Sequence, residues 1–219
     1  MEKYFPALLS SPLFFGIAEA DVRRILDCLG ARAMQYARRE VILREGTPAS
    51  YIGLVLSGTV HIAEEGLDGS RNLVESVSAG GLFLEAFACA GTKALPVEAV
   101  AAEDSIVLLL DANHILHTCQ HHCGHHAAMI FNLMRNMAGK SLELHEKISV
   151  TSRRTTREKL LSYLTACAKR TGARSFQIPF DRQELADYLE VDRSGLSAEI
   201  GKLRREGILE SHKRSFKLL

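Results

Sequence analysis

The 219-residue chain is 47% hydrophobic and 24% charged, as soluble globular proteins are, and it has neither an apolar run of ~18 residues nor a signal-peptide pattern at its start, so no membrane span or export is expected. Its five cysteines are an odd number and scattered, apart from Cys119 and Cys123, which fits a reducing cytoplasm better than a disulfide framework. The net charge of +1 conceals 15 Lys and Arg against 9 Asp and Glu in residues 151–219, leaving 12 against 17 in residues 1–150, so the basic C-terminal third alone points to a polyanionic partner.

Residues 19–30 place Val22, Ile25, Leu26 and Leu29 at helical spacing, with Gly30 as a stop. From 36 to 110 short apolar runs are broken by glycine, the pattern of an antiparallel all-β unit, and Asp68-Gly69 has hairpin chemistry. Residues 125–150 predict one long helix without proline. Ile130, Met134, Met137, Ser141, Leu144 and Ile148 step by 4, 3, 4, 3, 4, a heptad seam that predicts a parallel dimer, with a hinge at 149–152. A further helix is expected over 155–170, opened by a Thr155/Glu158 capping box and ended by Gly172, then a strand at 176–178.

Two helices, 181–189 and 192–206, then flank a tight turn, and the tail reads as a hairpin. Leu185, Ala186 and Leu189 of the first face Leu196, Ile200 and Leu203 of the second, with Val191 filling the turn, the requirement of a helix-turn-helix. That arrangement leaves Arg193, Ser194, Ser197 and Ala198 exposed toward base edges, while Asp192 caps the helix. Arg182 and Gln183 are placed to meet phosphate, and Lys213 and Arg214 form the turn of a wing. The expected DNA-binding residues are therefore Arg182, Gln183, Arg193, Ser194, Ser197, Lys213 and Arg214.

With these residues in view, the chain resembles the catabolite-activator/fumarate–nitrate-reduction (Crp/Fnr) superfamily. The segments that carry the resemblance are Arg154–Leu164 and Phe176–Ser197, supported by Gly46, Gly53, Gly58, Gly69, Gly80 and Gly81. The resemblance implies an α+β fold: a double-stranded β-roll over 1–118, a dimerisation helix over 119–150 and a winged helix-turn-helix over 151–219. It also implies a homodimer on a pseudo-palindromic operator in double-stranded DNA, with RNA polymerase as a partner if the protein activates. Recognition helices of familiar members often present a Glu and an Arg where this chain has Ser194 and Ala198, so a different half-site is expected.

The family's cyclic-nucleotide cassette needs a Gly-Glu pair and then an Arg-Ser pair. Glu85 matches, but Leu84, Leu95 and Pro96 replace the other three. Burying a phosphate without its cation is costly, so cyclic AMP and cyclic GMP are not expected to bind. Phe83, Glu85, Phe87, Leu95 and Pro96 are instead expected to receive an apolar or aromatic effector, such as an organic acid. A cofactor is not expected. A competing reading is a metal-, haem- or thiol-redox-sensing regulator, because the tract 117–126 holds Cys119, His121, Cys123 and His125 with i,i+4 pairs. No hydrolase, phosphate-loop, dinucleotide or zinc-protease motif is present, so an enzyme is not expected.

Overall fold

The computed structural model describes residues 2–29, 31–66, 71–116 and 125–219. The chain divides into two compact units, Met1–Ala138 and Gly139–Leu219. No helix among the described residues is long and apolar enough to cross a membrane.

The first unit opens with α1 (Phe5–Ser10) and α2 (Glu19–Cys28). The strands are β1 (Arg32–Tyr36), β2 (Val41–Leu43), β3 (Tyr51–Ser57), β4 (Thr59–Glu65), β5 (Arg71–Ser78) and β6 (Leu82–Phe83). After α3 (Glu85–Cys89) come β7 (Glu98–Ala101), β8 (Ser105–Asp111) and α4 (Ala112–Leu116). They form two antiparallel four-stranded sheets, ordered β1-β8-β3-β6 and β2-β7-β4-β5, the expected β-roll. The predicted Asp68-Gly69 turn lies outside the described residues.

Alternation along the strands builds two cores. Val55, Val60, Ile62, Phe83, Leu95, Val97, Ala99 and Val107 fill the space between the sheets. On the other face of the β3-containing sheet, Ile52, Leu54, Leu108 and Leu110 pack against Leu8, Val22 and Ile25 of the N-terminal helices. β3 is therefore apolar on both faces, which is why it reads as a continuous run, not an alternation. A Cβ at Gly53 would overlap the Phe83 ring, so this glycine permits the close approach of β3 and β6.

The long helix, α5, spans His125–Thr151. Met129 and Leu133 are fully buried in the first unit's core, and Met137 packs half-buried against the same cluster. Met137 of the expected seam thus packs partly against its own unit, while Met134, Ser141, Leu144 and Ile148 of that seam stay exposed. The apolar side chains left exposed on α5 are Phe131, Met134, Leu142, Leu144 and Ile148. Phe131, Met134, Ala138, Ser141, His145 and Ile148 repeat at 3, 4, 3, 4, 3, so the free stripe keeps heptad spacing in a shifted register. The helix ends at Thr151, inside the expected hinge at 149–152, and the next helix begins at Thr156.

The second unit continues with α6 (Thr156–Thr171), β9 (Ser175–Gln177), α7 (Arg182–Leu189), α8 (Arg193–Arg205), β10 (Leu209–His212) and β11 (Ser215–Leu218). Thr155 accepts from the Glu158 amide while Glu158 accepts from Thr155, the capping box read from the sequence, and Gly172 ends α6 at φ +66°. Leu160, Leu164, Leu185, Leu189, Leu196, Ile200, Leu203 and Phe216 make one core. β11 pairs with both β10 and β9, giving a three-stranded sheet beside the helices.

Candidate nucleic-acid interface

The geometry of α7 and α8 follows from local chemistry. Asp181 accepts from the Gln183 and Glu184 amides at 2.8 and 2.9 Å, and Glu184 reaches back to the Asp181 amide at 2.6 Å. Asp192 caps α8, accepting from the Gly195 amide at 2.8 Å and from the Ser194 hydroxyl. These donors hold both carboxyls below their ordinary pKa, with the Glu184 amide bond the largest cause for Asp181 and the Ser194 hydroxyl for Asp192. Lys159 donates to the Leu189 and Glu190 carbonyls at 3.0 and 3.3 Å, satisfying the end of α7 from α6. Arg157 grips both oxygens of Glu206 at 3.1 and 2.6 Å, tying α6 to the end of α8. Tyr163, Phe180 and Tyr188 pack as a ring cluster at centroid separations of 4.9–6.1 Å and steady α7.

On this frame five of the seven sequence-predicted DNA-binding residues meet. Arg182, Gln183, Arg193, Lys213 and Arg214 line one concave surface of about 740 Å³. Arg182 comes from the start of α7, Arg193 from the start of α8, and Lys213 and Arg214 from the two-residue turn of the β10–β11 hairpin. Lys213 takes the left-handed backbone region at φ +50°, which lets the turn close in two residues. Ser194 and Ser197 lie exposed on α8 outside that concavity, and the Ser194 hydroxyl is engaged by Asp192.

The Arg182 guanidinium stands 5.7 Å over the Phe216 ring, and its Nη1 is buried with no hydrogen-bond partner among the described residues. Burial pushes its pKa below the ordinary arginine value. Arg214 lies 3.5 Å from Glu184, an exposed and weak pairing. The lining also includes Gln177, His212 and Ser215, which the sequence reading missed. His212 adjoins Lys213 and was readable as part of the wing. Gln177 and Ser215 enter only because β9 pairs with β11.

The expected effector residues are only partly gathered. Phe83 and Leu95 are fully buried in the inter-sheet core, with Phe87 packed against it. Pro96 is exposed. Leu84, where the family's glycine stands, is held at φ +59°. Glu85 is buried and accepts from Asn136 of α5 at 3.2 Å, so its carboxylate is directed to the long helix. Of the metal-site candidates, Cys119, His121 and Cys123 lie outside the described residues. His125 lies 3.5 Å from Asp21, and the neighbouring His126 is buried with Nε2 3.2 Å from the His114 carbonyl oxygen.

Residues 33–122 match the cyclic nucleotide-binding domain family and residues 158–219 the Crp-like helix-turn-helix domain family. The chain belongs to the Crp/Fnr superfamily of transcription regulators. A curated relative, the transcriptional activator protein FnrL of Cereibacter sphaeroides, is 32% identical over 73 residues, 29% of this chain and 29% of that protein's length. Two solved structures share the superfamily fold. The c-di-GMP-responsive global regulator CLP of Xanthomonas campestris is 18% identical, with a TM-score of 0.55 over 92% of this chain and 99% of that one. DNR of Pseudomonas aeruginosa is 20% identical, with a TM-score of 0.52 over 100% and 95%.

Proposed function

We propose that the chain is a sequence-specific DNA-binding transcription regulator acting as a homodimer through α5, with α8 as recognition helix and β10–β11 as wing. The observation that carries this reading is the convergence of Arg182, Gln183, Arg193, Lys213 and Arg214 on one concave surface. Four cationic side chains from three separate elements suit a phosphate backbone and the groove beside it. Selection from randomised DNA should return a pseudo-palindrome with half-sites about one helical turn apart. Recovery of no palindromic motif would refute the assignment.

Gly195 supplies a second test. A Cβ there would meet nothing closer than Asp192 Oδ2 at 3.7 Å, so packing within the unit does not require glycine. Glycine inside a helix costs roughly 0.5–1 kcal/mol relative to alanine. Close approach of the DNA backbone accounts for keeping it. Gly195→Ala should therefore unfold at higher denaturant concentration yet bind the selected operator more weakly. Tighter or unchanged binding would remove close approach as the reason.

We further propose that the controlling effector is a small apolar or aromatic molecule, such as an organic acid, received by the β-roll. Leu95 and Pro96 offer no cation for a cyclic phosphate. Because Phe83 and Leu95 are solvent-inaccessible, such an effector must displace them to enter. Titration calorimetry with cyclic AMP should give no binding at physiological concentrations, and micromolar affinity would overturn this point.

A further inference from the structure

The sheet β2-β7-β4-β5 covers the inter-sheet core with one face and leaves the other open. Val60 and Ile62 of β4 point inward, so His61 points out. Ala63, two residues on, shares that outer face and lies opposite Leu73 of β5, where the bulge leaves Val74 of β5 without a partner on β4. His61 pairs with Val100 of β7. These side chains, with Arg38 and Arg39, line a cavity of about 310 Å³ on the outer face of the sheet. One wall is apolar, from Ala63, Leu73 and Val100, and Leu73 is about half-exposed there among the described residues.

The arginine pair sits on a firmly held turn between β1 and β2. The Arg39 amide donates to the Ala101 carbonyl at 2.7 Å and the Glu40 amide to the Ala37 carbonyl at 3.0 Å. The Arg38 amide donates to Asp104 Oδ1 at 2.9 Å. Arg39 is held at φ +70°, a region that side chains other than glycine rarely adopt. The carboxylates around the turn are committed elsewhere: Glu40 accepts from the Ala37 amide, Asp104 from the Arg38 amide, and Glu103 from the Thr59 hydroxyl. Neither guanidinium forms an ion pair or side-chain hydrogen bond among the described residues. Two guanidiniums without ion pairs among the described residues, carried on a held backbone turn, and an imidazole at the rim of an apolar hollow make a recognisable combination.

We propose that this cavity is a second ligand site, separate from the roll interior, that binds a small organic anion: a carboxylate held by Arg38 and Arg39, with an apolar body against Leu73 and Val100. The volume is at the lower end of small-ligand pockets, about 300–1,000 Å³, and planar guanidiniums match a carboxylate through two parallel hydrogen bonds. Anion binding here does not depend on DNA binding.

Octanoate is the probe, titrated into the full-length protein by calorimetry, with octanamide and inorganic phosphate as comparisons. Octanoate should bind measurably, octanamide at least about tenfold more weakly because it lacks the charge the guanidiniums meet, and phosphate at least about tenfold more weakly because it lacks the apolar body. Arg39→Gln should weaken octanoate about tenfold or more with an unchanged melting transition. Leu73→Asp, at an exposed position with both arginines intact, should do the same. No octanoate binding, phosphate binding as tight as octanoate, or an affinity indifferent to either substitution would each overturn the proposal.

Discussion

Met134→Glu should leave the protein monomeric at micromolar concentration and lower its affinity for a two-half-site operator by roughly 100- to 10,000-fold, the loss expected when bivalent binding becomes univalent. Met134 is 59% exposed on α5, between the exposed Phe131 and Ala138 on the same heptad stripe. In a parallel homodimer it meets its own copy, so glutamate brings two like charges together in a desolvated seam, which neither packing nor water repays. Sedimentation velocity measures the dimer and fluorescence anisotropy the operator affinity. Met137→Glu is the informative partner experiment. Met137 packs against the first unit's core, so its substitution should cost stability by about 1–3 kcal/mol. A Met134→Glu protein that stays dimeric would mean that the exposed stripe is not the seam.

Arg193→Ala and Lys213→Ala should weaken DNA binding in two distinguishable ways. Arg193 stands at the first turn of α8, exposed and on the concave surface. If it meets a guanine edge with both guanidinium donors, its loss should cost roughly 1–3 kcal/mol and relax preference at one base pair in each half-site. Lys213 stands at the tip of the wing, where the proposed contact is with the DNA backbone alone. Its removal should weaken all sequences about equally and reduce the salt slope by about one for each phosphate that is no longer neutralised. The short side chains Ser194 and Ala198 leave few other direct readers on α8, and Ser194 is already turned to Asp192. Much of the remaining specificity should come from flexible steps and bending in the operator. Repeating the randomised-DNA selection with both variants at several salt concentrations separates these outcomes. An unchanged motif and affinity for Arg193→Ala would remove α8 from the interface.

The winged helix-turn-helix was legible in the sequence because its determinants are local. The capping box at Thr155, the cap at Asp192 and the apolar spacing from Leu185 to Leu203 each act within a few residues. The β-roll was legible more coarsely, as glycine-punctuated runs, while the short helices at 5–10, 85–89 and 112–116 escaped because each is held by packing and not by a repeating pattern.

Spacing alone could not choose the free face of α5. Met129, Ile130, Phe131, Leu133, Met134 and Met137 surround that helix with apolar groups, so more than one heptad line can be drawn through them. Burial of Met129 and Leu133 against the first unit's core picks the line through Phe131 and Met134. The direction of Glu85 likewise depended on Asn136, 51 positions away. The sequence by itself determined the order of elements, the helix ends and the basic character of the last third, because caps, turns and periodicity are written in neighbouring residues. The tertiary structure alone decided that Arg182 and Arg214 share one concave surface, that Arg39 and His61 line one hollow, and which side of α5 stays bare. Those outcomes depend on which distant surfaces bury each other, a competition among long-range contacts that no short window of residues contains.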